Sequence, residues 1–314
     1  MKFRAFILTI LFLKCSLLQA DELKIYVIKP RIKINWSSPA TLGITSALNS
    51  LRKDYAPIGH FAVELNCSQT LSNGVSKVLT GMERVSKKES KRITLKEKLG
   101  LGSLFYPFRG ALTTAKLSKW EIEKATKQKR LRTIIIPVSK VDCHRGLLFV
   151  EKWIQHGSYN IYGGGRDSLR GEGGGCAHFM SSIFKVVTGK LPPKEWSVHL
   201  NVPKDLIGDG DKVRVPFTRI LTRFRWVKKG VETVPYEIAD TNTVHKWLKK
   251  RVKKEKVYYY TDHLPNFDRE NSTIESIKEA AEVSELSKPL EPFLFQQETS
   301  PEIEAAVWES IILK

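Results

Sequence analysis

Apolar and polar positions alternate with period two over residues 23–28 and again over 60–65, which predicts two strands. On the second, His60, Ala62, Glu64 and Asn66 share one face, and Phe61, Val63 and Leu65 share the other. The turn signal Ser72-Asn73-Gly74 predicts a hairpin returning through 75–82, with Ser76, Val78, Thr80 and Met82 on one face. Between the first two strands, Pro39 and Thr41 open a short helix through Leu51. Residues 83–98 are polar and charged and read as an exposed excursion, whereas 99–112, with Tyr106-Pro107-Phe108-Arg109, read as packing or as a wall over a site. Further on, 117–131 read as a basic solvated helix and 132–138 as a buried strand around Ile134-Ile135-Ile136. Ser139 followed by Asp142 predicts a capped helix to about His156 that buries Leu147, Val150 and Ile154 and stops at Gly157. Residues 159–162 read as a short extended lead, 196–202, 212–216 and 220–227 as short strands or connections, and 242–256 as a basic amphipathic helix.

After that lead, residues 163–175 hold seven glycines and two arginines and predict a loop. From Cys176 the spacing of Phe179, Met180, Ile183, Phe184 and Val187 is that of one buried helical face ending at Gly189. Cys176 therefore sits at the head of a helix. Unpaired N–H groups and the positive end of the helix dipole there favour thiolate over thiol, which makes Cys176 a candidate nucleophile. The glycines before it, Gly174 and Gly175, are candidates for an oxyanion site, with Tyr162 beside the substrate. A phosphate loop is not supported, because no Gly-Lys-Ser/Thr ending follows the glycines.

Residues 1–20 carry Lys2 and Arg4 and a short apolar run before Ala20, the pattern of an export signal cleaved after Ala20. That places the protein in the periplasm or outside the cell. The chain has 52 Lys+Arg against 33 Asp+Glu, a formal charge of +19, and the acidic excess is concentrated in 262–314. A basic body with an acidic, poorly ordered tail that ends in a weak helix near 303–312 suits anionic surfaces such as wall polymers or lipid headgroups. No nucleic-acid partner is expected after export, and no aromatic-rich recognition motif points to one.

Cleavage removes Cys15 and leaves Cys67, Cys143 and Cys176, an odd number for an oxidising compartment. The simplest arrangement pairs Cys67 with Cys143 and leaves Cys176 free. The seven histidines show no metal-ligand spacing with the cysteines, so neither a metal nor another cofactor is expected.

A thiol nucleophile needs a base, and His60, opening a strand behind Gly59 with small Ala62 on its face, is best placed. His178 points about 200° around the helix from Cys176. His144, His156, His199 and His263 lack supporting features.

The segments Gly59-His60-Phe61-Ala62-Val63-Glu64-Leu65 and Gly175-Cys176-Ala177-His178-Phe179, in that order, resemble the circularly permuted branch of the NlpC-type papain-like hydrolases, which includes lecithin-retinol-acyltransferase-like proteins. The resemblance spans 57–188. It implies an α+β papain-like fold in which an antiparallel sheet packs against the cysteine helix, with Cys176 as nucleophile and His60 as general base. It also implies action on amide, ester or thioester bonds of cell-wall peptides or lipids. The family's third polar residue follows on the next strand, where this chain offers Ser76 or Thr80, while Glu64 and Asn66 lie along the strand of His60.

Three segments are thus expected: a leader over 1–20, a papain-like domain over 21–261 and an acidic tail over 262–314. Two functions are carried forward. One is an exported cysteine hydrolase or acyltransferase built on Cys176 and His60 with Glu64 or Thr80. The other is a noncatalytic basic domain of the same fold that binds anionic polymers or lipids.

Overall fold

Strand β1 (Glu22–Ile28) is the spine of a seven-stranded sheet in a computed structural model that describes residues 21–51, 57–251, 257–259 and 301–313. It pairs antiparallel with β2 (His60–Asn66) on one side and with β5 (Leu131–Pro137) on the other. Beyond β2 follow β3 (Lys77–Arg84), β4 (Phe108–Leu112) and the two-residue β6 (Ile161–Tyr162), while β9 (Val257–Tyr259) adds to β5 in parallel. The fold is α+β with a mostly antiparallel sheet.

Register decides what each face buries. Ile25 stands opposite both Val63 and Ile134, and Val27 opposite Phe61, so one face is continuously apolar. Helices α4 (Lys140–Gln155) and α5 (Cys176–Thr188) cover that face. Phe179, Met180, Ile183 and Phe184 of α5 are fully buried there, each worth about 1.5–3 kcal/mol against exposure. Ser139 caps α4 by accepting the Asp142 N–H, and its hydroxyl donates to the Asp142 carboxylate at 2.6 Å. The two helices approach closely at Gly146, where a Cβ would lie 2.7 Å from Val187 Cγ2. A disulfide joins Cys67, just past β2, to Cys143 in α4, which is compatible with an oxidising compartment.

The other face belongs to α3 (Ala115–Lys127), capped by Thr114. It buries Ser118, Glu121 and Ala125 against the sheet side that carries His60, Ala62 and Gly81.

A second, smaller core lies beside the first. It joins α1 (Pro39–Leu51), α6 (Phe217–Leu221) and the two-stranded sheet of β7 (Ser197–Pro203) and β8 (Thr233–Ala239) through Leu42, Val202, Ile220 and Tyr236. Helix α7 (Thr241–Arg251) docks between the cores, with His245 Nε2 2.9 Å from the Val27 carbonyl.

Several expectations are corrected. Residues 212–216 and 222–227 are connections rather than strands, 217–221 form the short helix α6, and the strand β8 is hidden in sequence by Pro235. The excursion 83–98 contains α2 (Lys87–Lys91) and a π turn over Arg92–Lys96 that fully buries Ile93. Residues 158–160 form a 3₁₀ turn ahead of β6. The terminal helix, α8 (Pro301–Ile311), is no loose appendage: Trp308 and Ile311 are buried in the main core. The leader 1–20, residues 252–256 of the expected basic helix and residues 260–300, which include the tail from 262 to 300, lie outside the described residues. Among the described residues no helix is long and apolar enough to cross a membrane.

Candidate functional site

Cys176 is the first residue of α5, after the extended N-cap Gly175. With Cys67 and Cys143 bonded to each other, it is the free thiol of the described chain, and it is buried. The sulfur accepts the backbone N–H groups of Phe61 and Ala177, and Tyr162 Oη lies 4.0 Å away. Pairing between β2 and β3 ends at Ala62 and Gly81, so Phe61 has no β3 partner and its N–H turns to the sulfur.

Contrary to the thiolate expected at a helix head, burial pushes the Cys176 thiol up, and the Phe61, Tyr162 and Ala177 contacts offset this only in part. Burial likewise raises the hydroxyls of Tyr162 and Tyr236. The thiol and the two hydroxyls therefore rest neutral.

His60 is the residue next to Phe61, and Gly59 before it has φ 91°, where a Cβ would strike Thr241 Oγ1. Glycine thus fixes the angle at which the chain enters β2. Consecutive strand side chains point to opposite faces, so Phe61 joins the α5 side while the His60 ring lies on the α3 side over Gly81. Its Nε2 is 3.7 Å from Glu121 Oε2, beyond hydrogen-bond reach, and has no hydrogen-bond partner among the described residues. Burial holds the imidazole near 4, so it is neutral at pH 7. The structure therefore does not join the expected pair directly: the backbone of Phe61, next to His60, meets the sulfur, while the thiol lies on the α5 face of the sheet and the imidazole on the α3 face.

The other expected site residues fall out differently. Glu64 accepts from Lys24 Nζ at 2.9 Å and Tyr26 Oη at 2.6 Å, four residues along β2 from His60. Thr80 pairs with Val63 on the α5 face and donates to the Thr113 carbonyl at 2.8 Å. Neither orients the imidazole; the acidic group that approaches it is Glu121. The N–H groups of Gly174 and Gly175 donate to the carbonyls of Ile161 and Gly163, so they are not the oxyanion donors expected. Tyr162 does stand beside the sulfur. His178 lines the cavity described next, packed against Gly174.

Cys176 forms part of the wall of a cavity of about 510 Å³. Its lining is predominantly apolar and includes Leu101, Leu104 and Phe108, which makes residues 99–112 a wall of the site. Ser50, Leu51, Lys91 and Leu95, which line it too, are exposed or half-buried, so the cavity runs from the surface to the thiol. Sequence reasoning missed Glu121 because α3 buries only small and polar residues there and shows no apolar stripe. It missed the contributions of α1 and Tyr236 because they converge only in the second core. Among the described residues no group of His, Cys, Asp and Glu could hold a metal ion. Compared with known proteins, the chain matches no family model, no curated protein and no solved structure.

Proposed function

We propose that the protein is an exported cysteine acyl hydrolase or acyltransferase of permuted papain-like type, acting on esters or thioesters of apolar acyl groups. The observation that supports it is the free Cys176 thiol, at the head of α5, in the wall of an apolar cavity. Such cavities take apolar ligands with a few placed polar groups.

In this reading the acyl chain lies against Leu101, Leu104 and Phe108, with its carbonyl carbon over the sulfur. The sulfur attacks that carbon and a C–S bond forms while the thiol proton passes to His60, which has to receive it through the gap between β2 and β3 because imidazole and thiol rest on opposite faces of the sheet. Glu121 steadies the resulting imidazolium from the Nε2 side. The proton then goes to the departing alcohol or thiol as the acyl–oxygen or acyl–sulfur bond breaks. Water, or a second alcohol or amine, gives up a proton to His60 and takes the acyl group as the C–S bond breaks, and His60 returns the proton to the released sulfur. The N–H groups of Phe61 and Ala177, which meet the sulfur, serve the negative charge on it as the acyl group leaves. Because thiol and imidazole rest neutral, His60 acts as a base during attack, without a preformed ion pair.

The test is turnover of p-nitrophenyl esters of increasing chain length. The expected result is a rate that rises with chain length and is lost in Cys176→Ala, with the fold intact by circular dichroism. Equal rates in wild type and Cys176→Ala overturn the proposal.

One observation favours a second reading, a noncatalytic domain of the same fold that holds an apolar ligand or anionic surface: Cys176 and His60 both rest neutral, and the imidazole Nε2 has no hydrogen-bond partner among the described residues. It predicts ligand binding with no turnover in wild type.

A further inference from the structure

Helix α1 exposes Ile44, Leu48 and Leu51 at 45%, 44% and 81%, spaced i, i+4 and i+7 and so aligned in one stripe. A helix of a water-surrounded domain ordinarily turns such a stripe inward. Across the cavity, the π turn after α2 exposes Leu95 at 58%. Leu51 and Leu95 also line the cavity, so the exposed apolar side chains bracket its mouth. Around Leu95 the exposed side chains are cationic: Lys88, Lys91, Lys96 and Lys98, together with Arg92, which pairs with Glu97.

Exposed apolar side chains on two sides of an apolar cavity's mouth, with cations beside Leu95, match a bilayer whose headgroups are anionic. The apolar groups reach the acyl boundary and the lysines meet phosphate. A protein partner would need a complementary apolar patch, whereas a lipid surface needs none. We propose that this rim, Ile44, Leu48 and Leu51 of α1 with Leu95 and its neighbouring lysines, docks the protein on an anionic lipid bilayer, with the cavity mouth against the membrane. The proposal rests on the acyl-transfer reading only for what happens after docking: a lipid acyl chain would pass from the bilayer towards Cys176.

The full chain is sedimented with phosphatidylcholine vesicles with and without phosphatidylglycerol, over a range of salt. Binding is expected to require phosphatidylglycerol, to weaken as salt screens the lysines, and to be unchanged in Cys176→Ser. Leu48→Asp with Leu51→Asp should weaken it about tenfold or more, since each loses a buried leucine. Lys91→Glu with Lys96→Glu should weaken it by about tenfold through charge alone, keeping the test independent of the apolar changes. No binding by wild type, or equal binding by all variants at matched circular dichroism, overturns the proposal. So does a Leu48/Leu51 variant that turns a dimer into a monomer without affecting vesicle binding, which would make the rim an interface between copies. Loss of ester turnover in Cys176→Ser with vesicle binding intact separates the two proposals, as does failure of either assay alone.

Discussion

Nε2 of His60 and Oε2 of Glu121 face each other at 3.7 Å in the buried layer between β2 and α3. A helix on one side of the sheet thus supplies the acidic neighbour of an imidazole whose own strand meets the thiol on the other side. In the proposed mechanism Glu121 is a positioning residue. Glu121→Gln keeps the shape and removes the charge, and should lower ester turnover about tenfold or more while shifting its pH profile. Glu121→Asp should recover part of the rate. A Gln variant with wild-type rate and pH profile would show that the carboxylate plays no part.

Gly81 leaves room for that imidazole. A Cβ there would lie 3.0 Å from His60 Nε2 and 2.7 Å from the Phe61 carbonyl. Gly81→Ala is expected to displace the ring, cost stability on the order of 1–3 kcal/mol, and reduce turnover more than a comparable change at Gly146. Gly146→Ala, which crowds Val187 across α4 and α5, serves as the comparison because it lowers stability away from the imidazole. Equal turnover in the two variants at matched stability contradicts the placement of His60.

Two buried histidines make the fold acid-sensitive. Burial holds both His60 and His245 near 4, against an ordinary 6.5. Below about 6.5 the unfolded chain binds protons that the folded chain refuses until about 4. Stability from this source is therefore complete above about 6.5 and is lost as pH falls towards 4, by about 3 kcal/mol for one such histidine. Denaturant midpoints measured across that interval should fall with pH, and His245→Gln should flatten the slope. A flat profile in wild type would refute the buried neutral state.

The Cys67–Cys143 bond closes 76 residues. Replacing both cysteines by alanine should destabilise the fold by about 4 kcal/mol and lower Tm by on the order of 10 °C. The Cys176 thiol remains free in that variant. Unchanged melting would mean that the bond does not form.

Where burial follows a simple period, the chain was legible. The alternation of β1 and β2, the apolar stripe of α5 and its stop at Gly189 give their elements directly, and the odd thiol singles out Cys176. Where an element is held by its surroundings, it was not. Strand β8 carries a central proline and, among the described residues, pairs only with β7. Helix α3 turns Glu121 inward with no apolar company to mark it. At the site, the glycines looked like oxyanion donors because their residue type suits that role. Their N–H groups are taken by Ile161 and Gly163, a fact of loop register that composition does not hold. The helix head suggested a thiolate because a dipole is visible in sequence, whereas the burial that outweighs it arises only when α5 meets the sheet.

The central claim is that Cys176 carries the acyl group. Incubating the protein with a long-chain p-nitrophenyl ester, quenching in acid and mapping peptides by mass measures this directly. The account predicts an acyl adduct on the Cys176 peptide, labile to hydroxylamine and formed more slowly in His60→Ala by about 100-fold or more. Ester turnover by folded wild-type protein with no adduct on Cys176, or with the adduct on another residue, would contradict it.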